Sequence, residues 1–342
     1  MGSIQSLAFA FFLLFATPVL GQALPVWALS ASPRVFSDKV LDRKAIQNLN
    51  QGSRDLSEDF QNILEDSKAL HTMKKYKFIL VRGFLADYFD YIDKNFATQV
   101  EIFSEMGMKP NLDFEVANTD TEAESEINAA DIVKAIRDSQ KPVILVSHSK
   151  GSVDVLYALL TYPELQNKVK GWISVQGAIR GTRLADNLTD PKFVGTSPED
   201  FLKHPFRAVS RWFIDLLISW SSGDSEVLYS LRTDVRELFL AENEEAIREL
   251  VSKIPTLSVG SWQSYGRLNY FLRKQLEVMV PNAPLSDGVI EPMRAVVPGS
   301  SYVILDDVSH IDLVPSRSPY NRRSFTLRLL DLFWKQVAAP TQ

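Results

Sequence analysis

Histidines are scarce in this chain: His71, His148, His204 and His310 are the only four in 342 residues, and cysteine is absent. Without cysteine there is no thiolate nucleophile, no Cys-based zinc or iron–sulfur site and no disulfide. A serine hydroxyl is a weak nucleophile and needs a base. The segment Ser147-His148-Ser149-Lys150-Gly151 offers a hydroxyl in a telling place. It follows the apolar run Val143-Ile144-Leu145-Val146 and leads into a helical pattern of Val153, Leu156, Leu159 and Leu160. A strand, S-x-S-x-G, then a helix is the context of a nucleophile elbow, where a sharp turn lifts the apex side chain above the sheet. Residues two before and two after the apex must be small, and Ser147 and Gly151 are. This makes Ser149 the candidate nucleophile and the Lys150 backbone N–H a candidate oxyanion donor, with His148 pointing away.

His310 is the best-placed base. It lies in Asp307-Val308-Ser309-His310, just after the apolar run Tyr302-Val303-Ile304-Leu305. His71 precedes the first core strand, and His204 precedes Pro205 in a helical stretch. An orienting carboxylate is available in Ser286-Asp287-Gly288-Val289, between the last two strands. Asp307 is the competitor, but its position at a strand end favours Asp287. The second oxyanion donor should come from the turn after the first core strand, Arg82-Gly83-Phe84, which assigns the Phe84 amide; Gly83 lets the backbone approach a substrate closely. Arg82 is either a surface residue or a carboxylate-binding one.

These residues need a scaffold. Short apolar runs at 78–81, 143–146 and 172–175 read as buried strands, with a weaker one at Phe114-Glu115-Val116. Leu56, Phe60, Ile63 and Leu64 recur at helix spacing within 39–72. Thr121 and Glu124 have capping-box spacing ahead of a helical face of Ile127, Ala130, Val133 and Ile136. Strands resume at 255–259 and 302–305, and a final helix carries Phe325, Leu329, Leu332 and Phe333. The alternation predicts an α/β fold, a mostly parallel sheet flanked by helices. Residues 187–253 interrupt it with a helical insertion.

With its elements in that order, the chain resembles the secreted bacterial-type triacylglycerol lipases and esterases of the α/β-hydrolase superfamily. Val81-Arg82-Gly83-Phe84 is similar to their oxyanion turn V-H-G-x, and Ser147 to Gly151 resembles their elbow. Gly177-Ala178-Ile179-Arg180-Gly181-Thr182 with Ala185-Asp186 is similar to G-x-P-H-x-G-[ST]…A-D. Ser286 to Val289 resembles the acid turn and His310-Ile311-Asp312 the base segment; the chain order Ser, Asp, His is that of the superfamily. The resemblance spans about 78–334, with Arg82, Ser147 and Ile179 departing from its commonest residues. It implies an α/β-hydrolase domain at 77–342 whose insertion is a cap or lid, preceded by a helical lead-in at 24–76. In the insertion, Trp212, Phe213 and Leu216 are candidate substrate-binding residues, either as an acyl-pocket wall or as a helix packed on the sheet. No cofactor or metal is expected, since the upstream acidic ligand of the calcium-binding members has no counterpart between Asp234 and Asp287. The S-x-x-K of Ser147 and Lys150 also occurs in penicillin-binding proteins, but their K-T-G and S-D-N partners are missing here.

The implied activity is hydrolysis of a carboxylic ester, with an apolar ester as substrate and transient contact with a lipid surface. Polyester depolymerisation or acyl transfer on the same triad, and a non-catalytic binding protein of the same fold, are the alternatives. A net charge of −5 argues against non-specific nucleic-acid binding, which needs clustered positive charge. The apolar run at 7–20 is shorter than a membrane helix and fits a secretory signal, with Gly21 and Ala23 placed for cleavage after residue 23; an uncleaved N-terminal anchor is the alternative. A secreted or periplasmic protein is expected.

Overall fold

A computed structural model describes residues 43–63, 71–84, 86, 95–190, 226–269, 272–273, 285–314 and 320–338. The leader at 1–23 and the insertion residues Trp212, Phe213 and Leu216 lie outside them. Seven parallel strands form one sheet: β1 (Arg54–Asp55), β2 (Lys77–Val81), β3 (Phe114–Val116), β4 (Val143–His148), β5 (Val169–Val175), β6 (Thr256–Trp262) and β7 (Ser301–Asp306). Their order across the sheet is β1-β7-β6-β5-β4-β2-β3. From β2 the chain runs outward to β3, then returns to β4 and proceeds the other way. The order therefore reverses between β2 and β4, where the carboxyl ends of the strands open a crevice.

Strand residues alternate between two apolar layers, as the pleat requires. Phe78, Leu80, Ile144, Val146, Ile173 and Val175 face one core, and Ile79, Val81, Val143, Leu145 and Trp172 face the other. The first layer is covered by α1 to α3 neighbours in part: of α1 (Arg43–Leu49), α2 (Ser57–Asn62) and α3 (Ala97–Glu105), the latter two contribute Phe60, Ile102 and Phe103. The second is covered by α4 (Ser125–Asp138) and α5 (Lys150–Thr161). After α6 (Arg183–Thr189) and α7 (Glu226–Ser230), the helices α8 (Thr233–Glu242) and α9 (Glu244–Lys253) add Leu240, Ile247 and Leu250 to that second layer. The last helix, α10 (Arg322–Leu332), returns to the first with Phe325 and Leu329 and runs on as a π-helical segment, Phe333–Ala338.

Three local expectations change. The stretch within 39–72 is not one helix: β1 interrupts it and pairs with Ser301 and Tyr302 at the sheet edge. Two residues are too few to show a period of two. The capping box does not form, because Thr121 donates to Glu122 (2.7 Å) and α4 starts only at Ser125. The buried face of α4 is Ser125, Asn128, Ala129, Ile132, Val133 and Ile136, while Ile127 is exposed. A polar demand turns the helix that way. Ser125 (2.6 Å) and Asn128 (2.9 Å) both donate to Asp154, whose carboxylate also holds the buried Lys150 ammonium at 2.9 Å. A buried ion pair needs such extra donors to offset its desolvation.

Candidate active site

The site is assembled from the segments that follow β2, β4, β6 and β7. Ser149 leaves β4 with φ 54° and ψ −126°, a backbone conformation that L-residues rarely hold. Hydrogen bonds enforce it: the Ser149 amide donates to the Val175 carbonyl (3.0 Å), and the Ser149 carbonyl accepts from Ser152 (3.0 Å) and Ala178 (3.2 Å). The small residues around the apex have physical reasons. A Cβ on Gly151 would stand 2.3 Å from the Arg82 carbonyl oxygen and 2.7 Å from that of Val81, so helix and strand backbones touch there. Ser147 stands where the resemblance has glycine, and its hydroxyl is absorbed into the core. It accepts from the Trp172 indole N–H and pairs with Ser152, each at 2.8 Å.

His310 reaches Ser149 from the loop after β7. Its Nε2 lies 3.0 Å from Ser149 Oγ, and its Nδ1 lies 2.8 Å from Asp287 Oδ2. A carboxylate only accepts, so Nδ1 carries the proton and the Nε2 lone pair faces the serine hydroxyl. Asp287 is buried and its other oxygen is satisfied by the amides of Val289 (2.9 Å) and Ile290 (2.7 Å). The two loops are also tied directly, His310 N–H to Asp287 carbonyl at 2.8 Å. Asp307 is turned elsewhere, into an ion pair with Arg267. Asp312 accepts from the Ser309 amide (2.7 Å) and so shapes the loop that carries the base.

The turn after β2 meets the same point. A Cβ on Gly83 would lie 2.8 Å from Ser149 Cβ, so any larger residue would push the turn off the serine. Lys150 begins α5, and the first amides of a helix have no intrahelical acceptor and carry partial positive charge. Arg82 is half-buried and donates to the Thr119 carbonyl (3.2 Å). Phe84 and Leu184 pack against the buried cluster of Leu188, Val227 and Leu228, from α6 and α7 at the two ends of the insertion's undescribed part.

His148 does not point away. Its ring is buried and packs on that of His310, centroids 4.9 Å apart and planes 36° from parallel. Burial, and then the neighbouring His310, push its pKa down to about 3, so the ring is neutral at ordinary pH. Gln176, just after β5, completes a cluster that sequence reasoning passes over, because its residue type suggests no chemistry. Among the described residues, no three His, Asp or Glu side chains are grouped to hold a metal ion.

No protein-family model matches this sequence, and no curated protein matches it. Solved structures match in fold. A metagenomic carboxyl esterase aligns with a TM-score of 0.63 at 20% identity, over 91% of this chain and 99% of its own. A lipase from Bacillus licheniformis, in its mature form, aligns with a TM-score of 0.50 at 18% identity, over 69% of this chain and 85% of its own. With the seven-stranded parallel sheet and its flanking helices, the chain has the α/β-hydrolase fold.

Proposed function

We propose that this chain is a serine hydrolase of carboxylic esters. The observation that carries the reading is the unbroken hydrogen-bonded line Asp287–His310–Ser149, at 2.8 and 3.0 Å, contributed by the segments that follow β6, β7 and β4. The esterase and the lipase of the same fold agree with it.

In this reading Ser149 Oγ attacks the ester carbonyl carbon as its proton passes to His310 Nε2. The Oγ–C bond forms and the carbonyl electron pair moves onto oxygen. The Phe84 and Lys150 amides stabilise that oxyanion, and Asp287 stabilises the imidazolium. The carbonyl re-forms, the ester C–O bond breaks, and the departing alkoxide takes the proton from His310. His310 then takes a proton from a water whose oxygen attacks the acyl carbonyl carbon; the Ser149 Oγ–C bond breaks, the carboxylic acid leaves, and His310 returns the proton to Ser149 Oγ. The apolar cluster of Phe84, Leu184, Leu188, Val227 and Leu228 beside the oxyanion turn favours an apolar acyl group. Trp212, Phe213 and Leu216 are proposed to extend that wall as a lid, and residues 1–23 to export the protein.

The test is covalent labelling with a fluorophosphonate. The wild type should be labelled at Ser149 and should hydrolyse nitrophenyl esters. Ser149→Ala should fold, take no label and lose about 10⁴–10⁶ in kcat. A folded wild type that neither labels nor turns over would make the chain a binding protein and end the hydrolase reading. Trp212→Ala should cost more on long-chain than on acetate esters; an equal loss would remove the lid from the proposal.

A further inference from the structure

Two imidazoles stand beside the serine, and only one of them can usefully be the base. Resting on the hydrolase reading above, we propose that Gln176 is a positioning residue: its carboxamide locks His148 as a neutral ring protonated on Nε2, which removes His148 as a rival base and leaves His310 alone to take the Ser149 proton.

The argument starts from the Gln176 amide. Gln176 follows β5 at φ 48°, its backbone N–H bound to the Val259 carbonyl at 2.7 Å, and its side chain is fully buried. Its Nε2 donates to Ser261 Oγ (2.6 Å) and to the Ser309 carbonyl (2.9 Å). A carbonyl can only accept, so the amide nitrogen must face Ser309 and the amide oxygen must face the other way. That oxygen lies 3.3 Å from His148 Nε2. An oxygen there requires His148 Nε2 to carry a proton. The remaining lone pair sits on Nδ1, which lies against the turn after β2, 3.3 Å from where a Gly83 Cβ would stand. One side chain thus ties three things together: the His148 tautomer, the end of β6 through Ser261, and the loop that delivers His310 through Ser309.

The surroundings keep that ring uncharged. Facing it are His310 and the Ser309 loop from β7, Gln176 from β5, and the Gly83 turn from β2. The charged groups close by are engaged elsewhere: Asp287 on His310 Nδ1, Lys150 on Asp154, Asp312 on the Ser309 amide, and Arg82 on the Thr119 carbonyl. After burial, the His310 ring is what disfavours a charge on His148, while hydrogen bonds with Gln176 and the His310 backbone act the other way. During catalysis His310 becomes an imidazolium 4.9 Å from the His148 centroid, so a protonated His148 would oppose that step directly.

Two measurements test this. The first is nitrogen-15 NMR of the histidine-labelled wild type between about pH 5 and 8, the range in which an ordinary histidine titrates, with His148 assigned by its loss in His148→Gln. His148 should stay neutral and Nε2-protonated throughout; titration in that range, or an Nδ1–H tautomer, overturns the lock. The second is the pH profile of Gln176→Glu. A carboxylate at this position favours the charged form of His148, so the acid limb of kcat/KM should move up by about one pH unit with KM little changed. A uniform fall in kcat with an unmoved limb would show Gln176 to be merely structural. If Gln176→Glu does not fold, the wild-type NMR still decides the tautomer. Failure of the hydrolase reading looks different: the wild type then neither turns over ester nor takes a fluorophosphonate at any pH.

Discussion

The buried His148 makes a quantitative demand on stability. In the unfolded chain an imidazole takes up a proton near pH 6.5, whereas in the fold His148 does so only at about 3. A depressed folded-state value means that the unfolded state binds more protons as pH falls, so the stability present above pH 6.5 is lost going down. From those two values, the unfolded state at pH 5 gains about 2 kcal/mol from this one ring, against almost nothing at pH 7.5. The window is informative because carboxylates titrate mostly below it. The perturbation is His148→Gln, which removes the titration. Urea unfolding at pH 7.5, 6 and 5 should show the wild type losing about 2 kcal/mol more than the variant across the range, whatever the variant's stability at pH 7.5. Parallel losses in the two proteins would refute the reasoning, since His148 would then accept a proton in the folded state.

Three further outcomes are expected. Asp287→Asn should lower kcat by about 10⁴ while the protein stays folded, because an amide at this position no longer enforces the His310 tautomer that presents a lone pair to Ser149; steady-state kinetics and circular dichroism check it. Gly151→Ala should cost at least about 100-fold in kcat, since a Cβ 2.3 Å from the Arg82 carbonyl oxygen must move the oxyanion turn or the elbow, and a variant with wild-type kcat would contradict that packing. Asp154→Ala strands the buried Lys150 ammonium and should destabilise by about 3–5 kcal/mol; Lys150→Met added to it should recover the part due to the unpaired charge but not the part due to Ser125 and Asn128, which lose the same acceptor, and urea titrations of both variants check it.

How much of this was legible beforehand depended on whether the signal was local. The strands β2, β4, β5 and β7 announce themselves as short apolar runs because both faces of a central parallel strand are buried. The elbow is legible because glycine two residues past the apex is a steric necessity, and a strand–turn–helix passage places Ser149 at that apex. Asp287 and His310 could be picked from loops after strands because all parallel strands deliver their carboxyl ends to one edge. The two-residue β1, by contrast, is defined by its partner β7 and has no pattern of its own. The rotation of α4 that buries Asn128 and exposes Ile127 answers to a carboxylate on the next helix, Asp154, which the period of α4 alone does not contain. The elbow taken by itself turns His148 away from the apex. Three loops from β2, β5 and β7 converge on that ring, and their meeting is a property of strand order. The tautomer of His148 depends on a glutamine 28 residues on and a carbonyl in the His310 loop, so only the tertiary structure could decide it.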